Sequence, residues 1–193
     1  MKPKLIIIGN KPISHDMSFI DSEFDYILRV NRMLNFGNTG YRIDGLFLGA
    51  YRDFKTIYNG GEYREWYSSV KDIYMTSKIK KNFSNWYEYI TKIQYDNIKL
   101  WDFQKAKKEL DANLTSSICV IWSVLNDSEF TDNYEIWFTG LDIERSELMK
   151  TGNPWKDTGH KDAGEAETRY LKSCINSGIL NYLSDESPDI NPS

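Results

Sequence analysis

One of the two histidines in the chain, His160, lies where a general base would be expected. It belongs to the segment GHKDAGE, which comes after a predicted buried strand and opens a predicted helix. The pKa of imidazole lies close to neutrality, so His160 could accept a proton from a substrate hydroxyl without extreme tuning. Glu165, five residues later, is near enough around a helix start to orient the imidazole or to bond nearby backbone. An isolated histidine more often caps or packs beside a helix end, so the assignment depends on the residues that accompany it.

Two amide side chains follow the first two predicted strands. Gly9 lets the chain turn tightly after the first strand and is followed by Asn10, and Asn31 comes directly after the second strand. Ligands of α/β sheets bind at the carboxyl ends of the strands, where we expect both amides to lie. An amide donates and accepts hydrogen bonds, which suits a base or a sugar. Either asparagine alone is commonly a turn former, but the pair favours a nucleotide.

Hydroxyl side chains begin the most apolar predicted helix. Thr115, Ser116 and Ser117 come directly before ICVIWSVL, so hydroxyls and free backbone N–H groups gather at a helix N-terminus, which favours an anion. An ordinary Ser or Thr N-cap uses the same geometry, and both interpretations stay open. Further along, Asp142 follows the predicted strand YEIWFTG, where it could hold a ribose, an acceptor sugar or the next loop.

Several cofactor motifs are absent from the sequence. No G-x-G-x-x-G follows the first strand and no G-x-x-x-x-G-K-[ST] occurs, which weakens assignment as an NAD enzyme or a P-loop NTPase. There is no D-x-D pair to hold a divalent metal on a nucleotide diphosphate. The two cysteines, Cys119 and Cys174, match no metal spacing and are expected in the core, in a reducing compartment. We expect neither a metal nor a cofactor.

Short apolar runs alternate with amphipathic stretches along the chain, which is the pattern of strands buried on both faces between helices. The strands are predicted at residues 4–9, 25–30, 43–49, 70–76, 97–101, 134–140 and 179–183. The helices are predicted at about residues 51–58, 62–68, 83–94, 103–110, 115–127 and 164–177. Connected βα units form a mostly parallel sheet with right-handed crossovers. The expected fold class is therefore α/β, a single-domain three-layer α/β/α sandwich.

Length and charge limit the domain organisation and the partners. The 193 residues fit one domain, predicted over residues 1–183. Residues 144–159 show neither the helical nor the strand period of apolar residues and are expected to form a mobile loop over the binding edge. Residues 184–193 are expected to form a disordered polar tail. A net charge of −4 argues against nucleic acid as the main partner. The apolar run before Gly9 is too short for a signal peptide or a membrane span, so we expect a cytoplasmic protein, free or peripheral at the inner face of the membrane.

In chain order these segments resemble the sialyltransferases. The animal-type family, glycosyltransferase family 29, has a G-N turn followed by an I-D…D-x-V-x-R-x-N run and ends in H-x-x-x-x-E, the spacing of His160 and Glu165. The residues that look like the first run are Ile20, Asp21, Asp25, Arg29 and Asn31. The bacterial lipooligosaccharide sialyltransferases of family 42 have a T-S pair before an apolar helix and an E-I-x-x-x-G-x-D strand. The residues that match those positions are Thr115, Ser116, Glu135, Ile136, Gly140 and Asp142.

The resemblance implies a metal-independent, inverting glycosyltransferase with a variant GT-A, Rossmann-like fold. The donor would be a CMP-sugar, with CMP-sialic acid as the first choice, and the acceptor a glycan hydroxyl such as one on a cell-surface polysaccharide. His160 would deprotonate that hydroxyl, and Asp142 would hold the ribose or the acceptor. The nucleotide would be received by Gly9, Asn10, Asn31 and the turn Thr115, Ser116 and Ser117.

In these families a second His, or two Tyr, contact the donor phosphate from the loop before the base. No His or Tyr lies between Asp142 and His160 in this chain, so Lys150, Trp155 and Lys156 are the candidates for that contact. Two alternatives stay open. A non-catalytic CMP- or nucleotide-sugar-binding module derived from the same fold would bind CMP without turnover. A methyltransferase or phosphatase using the same sheet edge would show no preference for cytidine.

Overall fold

The computed structural model describes residues 1–49, 70–82, 95–144 and 163–184. The strands in these ranges form one seven-stranded sheet. They are β1 (Lys4–Ile8), β2 (Tyr26–Val30), β3 (Gly45–Leu48), β4 (Asp72–Thr76), β5 (Lys99–Trp101), β6 (Glu135–Thr139) and β7 (Asn181–Tyr182). Their order is β5-β4-β3-β2-β1-β6-β7, and every neighbouring pair is parallel. All seven predicted strands are confirmed, and so is the α/β class.

Helices accompany the sheet in the described ranges. They are α1 (Ile20–Glu23), α2 (Ser77–Asn82), α3 (Phe103–Glu109), α4 (Ser116–Leu125), α5 (Ser128–Thr131) and α6 (Gly164–Asn176). The predicted helices at 103–110, 115–127 and 164–177 are confirmed by α3, α4 and α6. The sequence pattern does not predict α1, α2 or α5, because one or two turns are too short to establish an apolar period.

Some predicted elements lie outside the described residues. These are the helices at 51–58, 62–68 and 83–94, the loop at 144–159 beyond Glu144, and the tail at 184–193 beyond Ser184. They stay predictions.

The sheet is apolar on both faces, as parallel sheets covered by helices are. On one face, Leu5 and Ile7 of β1 belong to the largest apolar cluster, which also contains side chains of α3, α4, α5 and α6. On the other face, Ile6 and Ile8 pack in a cluster with Ile20 of α1. A third cluster on β3 and β4 is joined by Ile79 of α2. The helices therefore cover both faces and make three layers.

Helix α4 lies within the largest cluster. Its residues Ile118 to Val124 are all buried, as expected for a helix that is apolar around most of its circumference. The two cysteines are free and buried, Cys119 in α4 and Cys174 in α6, which confirms their predicted place in the core. Burial raises the pKa of the Cys119 thiol to about 12.

The strand order defines where a ligand would bind. From β1 the chain builds outward through β2, β3, β4 and β5, then returns to the other side of β1 with β6 and β7. The direction of building reverses between β1 and β6. In open α/β sheets, ligands bind outside the carboxyl ends of the strands at such a switch point.

Candidate functional site

The loops after β1 and β6 are in direct contact at the switch point. Gly9 N donates to Thr139 O and Lys11 N donates to Gly140 O, both at 2.9 Å. A Cβ at Gly9 would lie 2.3 Å from Gly140 O, so a larger residue would push the two loops apart. Lys11 Nζ forms an ion pair with Asp142 Oδ1 at 2.7 Å. Asp142, predicted to hold a ribose or an acceptor, thus lies at the switch point with its carboxylate paired to Lys11.

The side chain of Asn10 joins the loops after β1 and β2. Its Nδ2 donates to Val30 O at 2.9 Å, and its Oδ1 accepts from Leu34 N at 3.1 Å. An amide has two N–H groups and two acceptor lone pairs, so half of the capacity of Asn10 serves the protein backbone. The structure places Asn10 at the predicted edge, where its side chain holds the next loop and retains further hydrogen-bonding capacity.

Asn31 follows β2 in the left-handed region, with a φ of 53°, which asparagine tolerates better than most residues. Its backbone N–H donates to Phe47 O at 2.7 Å, and its Oδ1 accepts from Gly49 N at 2.8 Å. Within the described ranges, no hydrogen bond from Asn31 Nδ2 occupies that group. The side chain therefore holds the end of β3 through its oxygen and presents its amino group as a donor.

The N-terminus of α4 meets the loops after β2 and β3 beside Asn31. A Cβ on Gly49 would lie 2.9 Å from Asn31 Oδ1, 3.0 Å from the Phe47 ring and 3.1 Å from Ser116 Oγ. Gly49 is thus the point at which the two strand ends and the helix approach one another. We call the three residues Asn31, Gly49 and Ser116 the junction.

Helix α4 begins without a side-chain cap from its own N-cap residue. Thr115 is the N-cap, with extended backbone, but its side chain makes no capping hydrogen bond. The Thr115 side chain is therefore not an ordinary N-cap of α4. Ser116 and Ser117 are half-buried in the first turn. Backbone N–H groups and the positive end of the helix dipole make such a turn able to bind an anion.

A residue that sequence reasoning missed, Glu167, contacts the same helix start. Its side chain is fully buried, and its Oε1 accepts from Thr115 N at 2.5 Å. Glu165, the predicted partner of His160, is exposed in the first turn of α6. The buried carboxylate at the start of α6 thus belongs to Glu167, two residues beyond the predicted Glu165. Its position on the apolar face of α6, one turn before Leu171, is a signal that could have identified it.

A second missed residue, Asn35, holds the loop after β1. Its buried Nδ2 donates to Gly9 O at 2.9 Å and to Lys11 O at 2.7 Å, and its Oδ1 accepts from Ile13 N at 3.0 Å. These bonds fix the backbone on both sides of Asn10. No spacing in the sequence distinguishes Asn35 from the other polar residues of its loop.

The charged residues of the run that resembles the family 29 motif make most of their hydrogen bonds to the protein's own backbone. Buried Arg29 donates to the carbonyl oxygens of Thr39, Gly40 and Arg42 and to Thr39 Oγ1, at 2.8 to 3.0 Å. Burial lowers the pKa of Arg29 to about 10.

The two acidic residues of the same run behave similarly. Asp21 accepts from the backbone N–H groups of Tyr41 and Arg42, and Asp25 accepts from Lys4 N at 2.7 Å. Of the charged and amide residues in the run, Asn31 is the one placed at the junction.

The remaining predicted site residues, Lys150, Trp155, Lys156 and His160, lie outside the described residues. Their roles stay predictions. An open cleft lies at the opposite edge of the sheet, lined by residues that precede β1 and β6, among them Lys2, Pro3 and Tyr134. It is therefore separate from the junction. Within the ranges that the structure describes, no three His, Cys, Asp or Glu side chains are grouped to hold a metal ion.

Comparison with known proteins gives structural neighbours at low sequence identity. A structure of the sialyltransferase CstII from Campylobacter jejuni, in complex with the substrate analogue CMP-3FNeuAc, matches with a TM-score of 0.56 and 19% identity, over 97% of this chain and 83% of that one. A CstII structure in complex with cytidine-5'-monophosphate matches with a TM-score of 0.53 and 18% identity, over 95% of this chain and 80% of that one. No family model and no curated protein sequence matches the chain.

These neighbours show the fold. The chain has the variant GT-A, Rossmann-like arrangement of CstII, as predicted. The resemblance to family 29 is not tested by them. In the described part of the chain, no helix is both long and apolar enough to cross a membrane.

Proposed function

We propose that this protein is a glycosyltransferase that moves a sialic acid, or a related sugar, from a CMP-sugar to a glycan hydroxyl. The observation that carries the proposal is the junction, where Asn31, Gly49 and Ser116 meet at the first turn of α4. It lies at the carboxyl edge of a sheet whose fold is shared with a sialyltransferase that was solved with CMP and with a CMP-sugar analogue.

The donor phosphate would bind at the first turn of α4. There the N–H groups of the helix start, the Ser116 and Ser117 hydroxyls and the Asn31 Nδ2 group supply donors, and the helix dipole favours a negative charge. The cytidine or its ribose would lie towards Asn10 and Asp142 at the switch point. Lys150, Trp155 and Lys156 are the proposed additional contacts to the phosphate.

His160 would act as the general base. Its imidazole takes the proton of the acceptor hydroxyl while the acceptor oxygen attacks the anomeric carbon of the donor. The bond from that carbon to the phosphate oxygen breaks, and CMP leaves with the electron pair. One base and one nucleophile on the open face give inversion through an oxocarbenium-like state, without a covalent intermediate. A nucleoside monophosphate carries less charge than a diphosphate, so hydrogen bonds and the helix terminus can stabilise its departure.

The first experiment is calorimetric titration of the purified protein with CMP, UMP, GMP and S-adenosylmethionine, without added metal. We expect selective binding of CMP. Absence of CMP binding would overturn the proposal, and CMP binding without release of CMP from CMP-sialic acid would favour the non-catalytic binding module.

A pair of variants locates the phosphate. Ser116→Asp places a carboxylate at the first residue of α4, where a negative charge stabilises a helix by about 0.3–1 kcal/mol but competes with a bound anion. We expect the folded protein to be no less stable and CMP binding to fall at least about tenfold, the equivalent of about 1.4 kcal/mol. Ser128→Asp, the same change at the first residue of α5, is the control and should leave CMP binding unchanged.

A further inference from the structure

Glu167 of α6 brings a carboxylate to the start of α4. Its side chain is fully buried, and among the described residues the one other charged side chain buried in this way is Arg29. Glu167 Oε1 accepts from the backbone N–H of Thr115, the N-cap residue of α4, at 2.5 Å. Burial of a carboxylate is costly unless hydrogen bonds compensate for the lost water, so its position calls for an explanation.

The proposed phosphate contacts are the next residues along α4. Glu167 accepts from Thr115 N, and the residues that would receive the phosphate, Ser116 and Ser117, follow directly. The positive end of the helix dipole attracts both negative groups, but the two groups repel each other. A phosphate is therefore bound less tightly at this helix start than at one without a carboxylate of the protein.

The charge of Glu167 acts on the first turn of α4. Burial is the main cause of the raised pKa of the Cys119 thiol, three residues after Ser116; of the nearby charges, Lys107 lowers that pKa and Glu167 raises it. Lys107 is partly exposed, and its Nζ donates to Asn113 Oδ1 at 2.6 Å. Water and salt screen an exposed charge more than a buried one. Of these two charges, Glu167 is therefore the one whose effect on a ligand of α4 is screened less.

The two ligands that the proposed site would hold in turn differ in the charge of their phosphate. The phosphate of a CMP-sugar is a diester with one negative charge. The phosphate of CMP is a monoester whose second pKa is about 6, so it carries nearly two charges at about pH 7.5. Because Coulomb energy is proportional to the charge of the ligand, Glu167 repels CMP about twice as strongly as it repels the diester.

We propose that Glu167 is a specificity-determining residue, which makes the phosphate site prefer the singly charged phosphodiester of the donor over the doubly charged product. This inference rests on the proposed function and concerns the start of α4 alone. Breaking the donor bond would convert a ligand that the site prefers into one that it holds less tightly. The carboxylate would thus promote release of CMP.

Native protein and one variant test the charge. Calorimetric titration at about pH 7.5 compares CMP with its phosphate methyl ester, a diester with one charge, and we expect the native protein to bind the ester at least about threefold more tightly. Glu167→Gln keeps the length of the side chain and an oxygen that accepts from Thr115 N, but it removes the charge. We expect its Kd to fall about threefold for the ester and about ninefold for CMP, the square of the first factor, because the repulsion energy doubles.

Glu23→Gln, the same change in an exposed side chain at the end of α1, is the matched control. It lies just before β2, at the amino edge of the sheet, so we expect it to change either Kd by less than about 1.5-fold. Binding stoichiometry reports the folded fraction of each variant. A merely structural role of Glu167 would lower that fraction or change both Kd values by the same factor, without changing their ratio.

The outcomes distinguish this inference from the proposed function. Native protein that binds neither CMP nor its methyl ester overturns both. Native protein that binds CMP at least as tightly as the ester overturns the role of Glu167 alone, whether or not the variant folds. The same conclusion follows if folded Glu167→Gln protein keeps the native ratio of the two Kd values. A preference for the ester that is lost in Glu167→Gln and retained in Glu23→Gln supports the inference.

Discussion

Substitution of the glycine at the junction tests whether its geometry serves ligand binding. The backbone of Gly49 is not in the left-handed region, so Gly49→Ala adds a methyl group without backbone strain. That methyl group would lie 2.9 Å from Asn31 Oδ1 and 3.1 Å from Ser116 Oγ. Ordinary contacts to a methyl carbon are about 3.5–4.0 Å, so both polar side chains would have to move by several tenths of an ångström.

Gly45, at the other end of β3, provides a matched control. Gly45→Ala would place its methyl group 2.5 Å from Tyr26 Oη, at the amino edge of the sheet. The Tyr26 hydroxyl donates to Asp72 Oδ2 at 2.9 Å and lies 3.1 Å from the Tyr74 hydroxyl, so it cannot move freely. Overpacking of this kind costs about 1–3 kcal/mol, and we expect both variants to lose stability in that range.

The two variants should differ in CMP binding. Displacing Asn31 and Ser116 weakens hydrogen bonds to a charged ligand that are worth about 1.5–3 kcal/mol each. Loss of about 1.4 kcal/mol raises the Kd tenfold, so we expect at least a tenfold rise for Gly49→Ala and less than about twofold for Gly45→Ala. Urea unfolding measures the stabilities, and calorimetry at a temperature where both variants are folded measures the Kd. Equal CMP affinity in folded Gly49→Ala and native protein would refute the assignment of the junction.

Further predictions concern single residues. His160→Ala should lower CMP release by about 10²- to 10⁴-fold in an activity assay while CMP binding is retained, and unchanged turnover would remove His160 from the mechanism. Asn31→Asp keeps the acceptor for Gly49 N but replaces the Nδ2 donor with a negative charge. Titrations should show that this change lowers the affinity for CMP more than the affinity for cytidine. An equal loss of affinity for the two ligands would place Asn31 against the nucleoside instead of the phosphate. Arg29→Met leaves several buried acceptors unpaired, each at a cost of about 1–3 kcal/mol, so urea unfolding should show a loss of at least about 3 kcal/mol, whereas a loss under about 1 kcal/mol would contradict the described network. Cys119 is fully buried and its pKa is raised, so a thiol reagent should modify it only in denaturant, and rapid labelling of Cys119 itself in the native protein would show that α4 opens.

The elements of the sheet could be predicted from the sequence because their signal is local. β1 reads KLIII and β2 reads YILRV, runs that are buried on both faces and need no partner to be recognised. The same reasoning identified α4, whose apolar residues are consecutive. It did not identify α1 or α5, because four residues form a single turn that tertiary packing stabilises.

Local sequence patterns predict only part of the candidate site. Asn10 and Asn31 could be placed at the carboxyl edge because each follows a strand, and parallel strand ends share an edge. The spacing of five from His160 indicates Glu165, whereas the buried face of α6 is where Glu167 lies, so spacing alone selects the exposed residue of the two. Asn35 was missed because its three hydrogen bonds join it to residues 22 to 26 positions away.

By itself, the sequence determined the α/β class, the seven strands, the apolar helix α4 and the order of the polar residues that follow the strands. These features depend on the period of apolar residues and on the turn residues between them, both of which are set by residues close together in the chain. The tertiary structure decided which strands are adjacent, that Gly49 brings Asn31 and Ser116 together, and that the carboxylate of Glu167 reaches across to α4. Such contacts depend on how whole elements pack, because a hydrogen bond between residues 52 positions apart leaves no periodic trace in the chain.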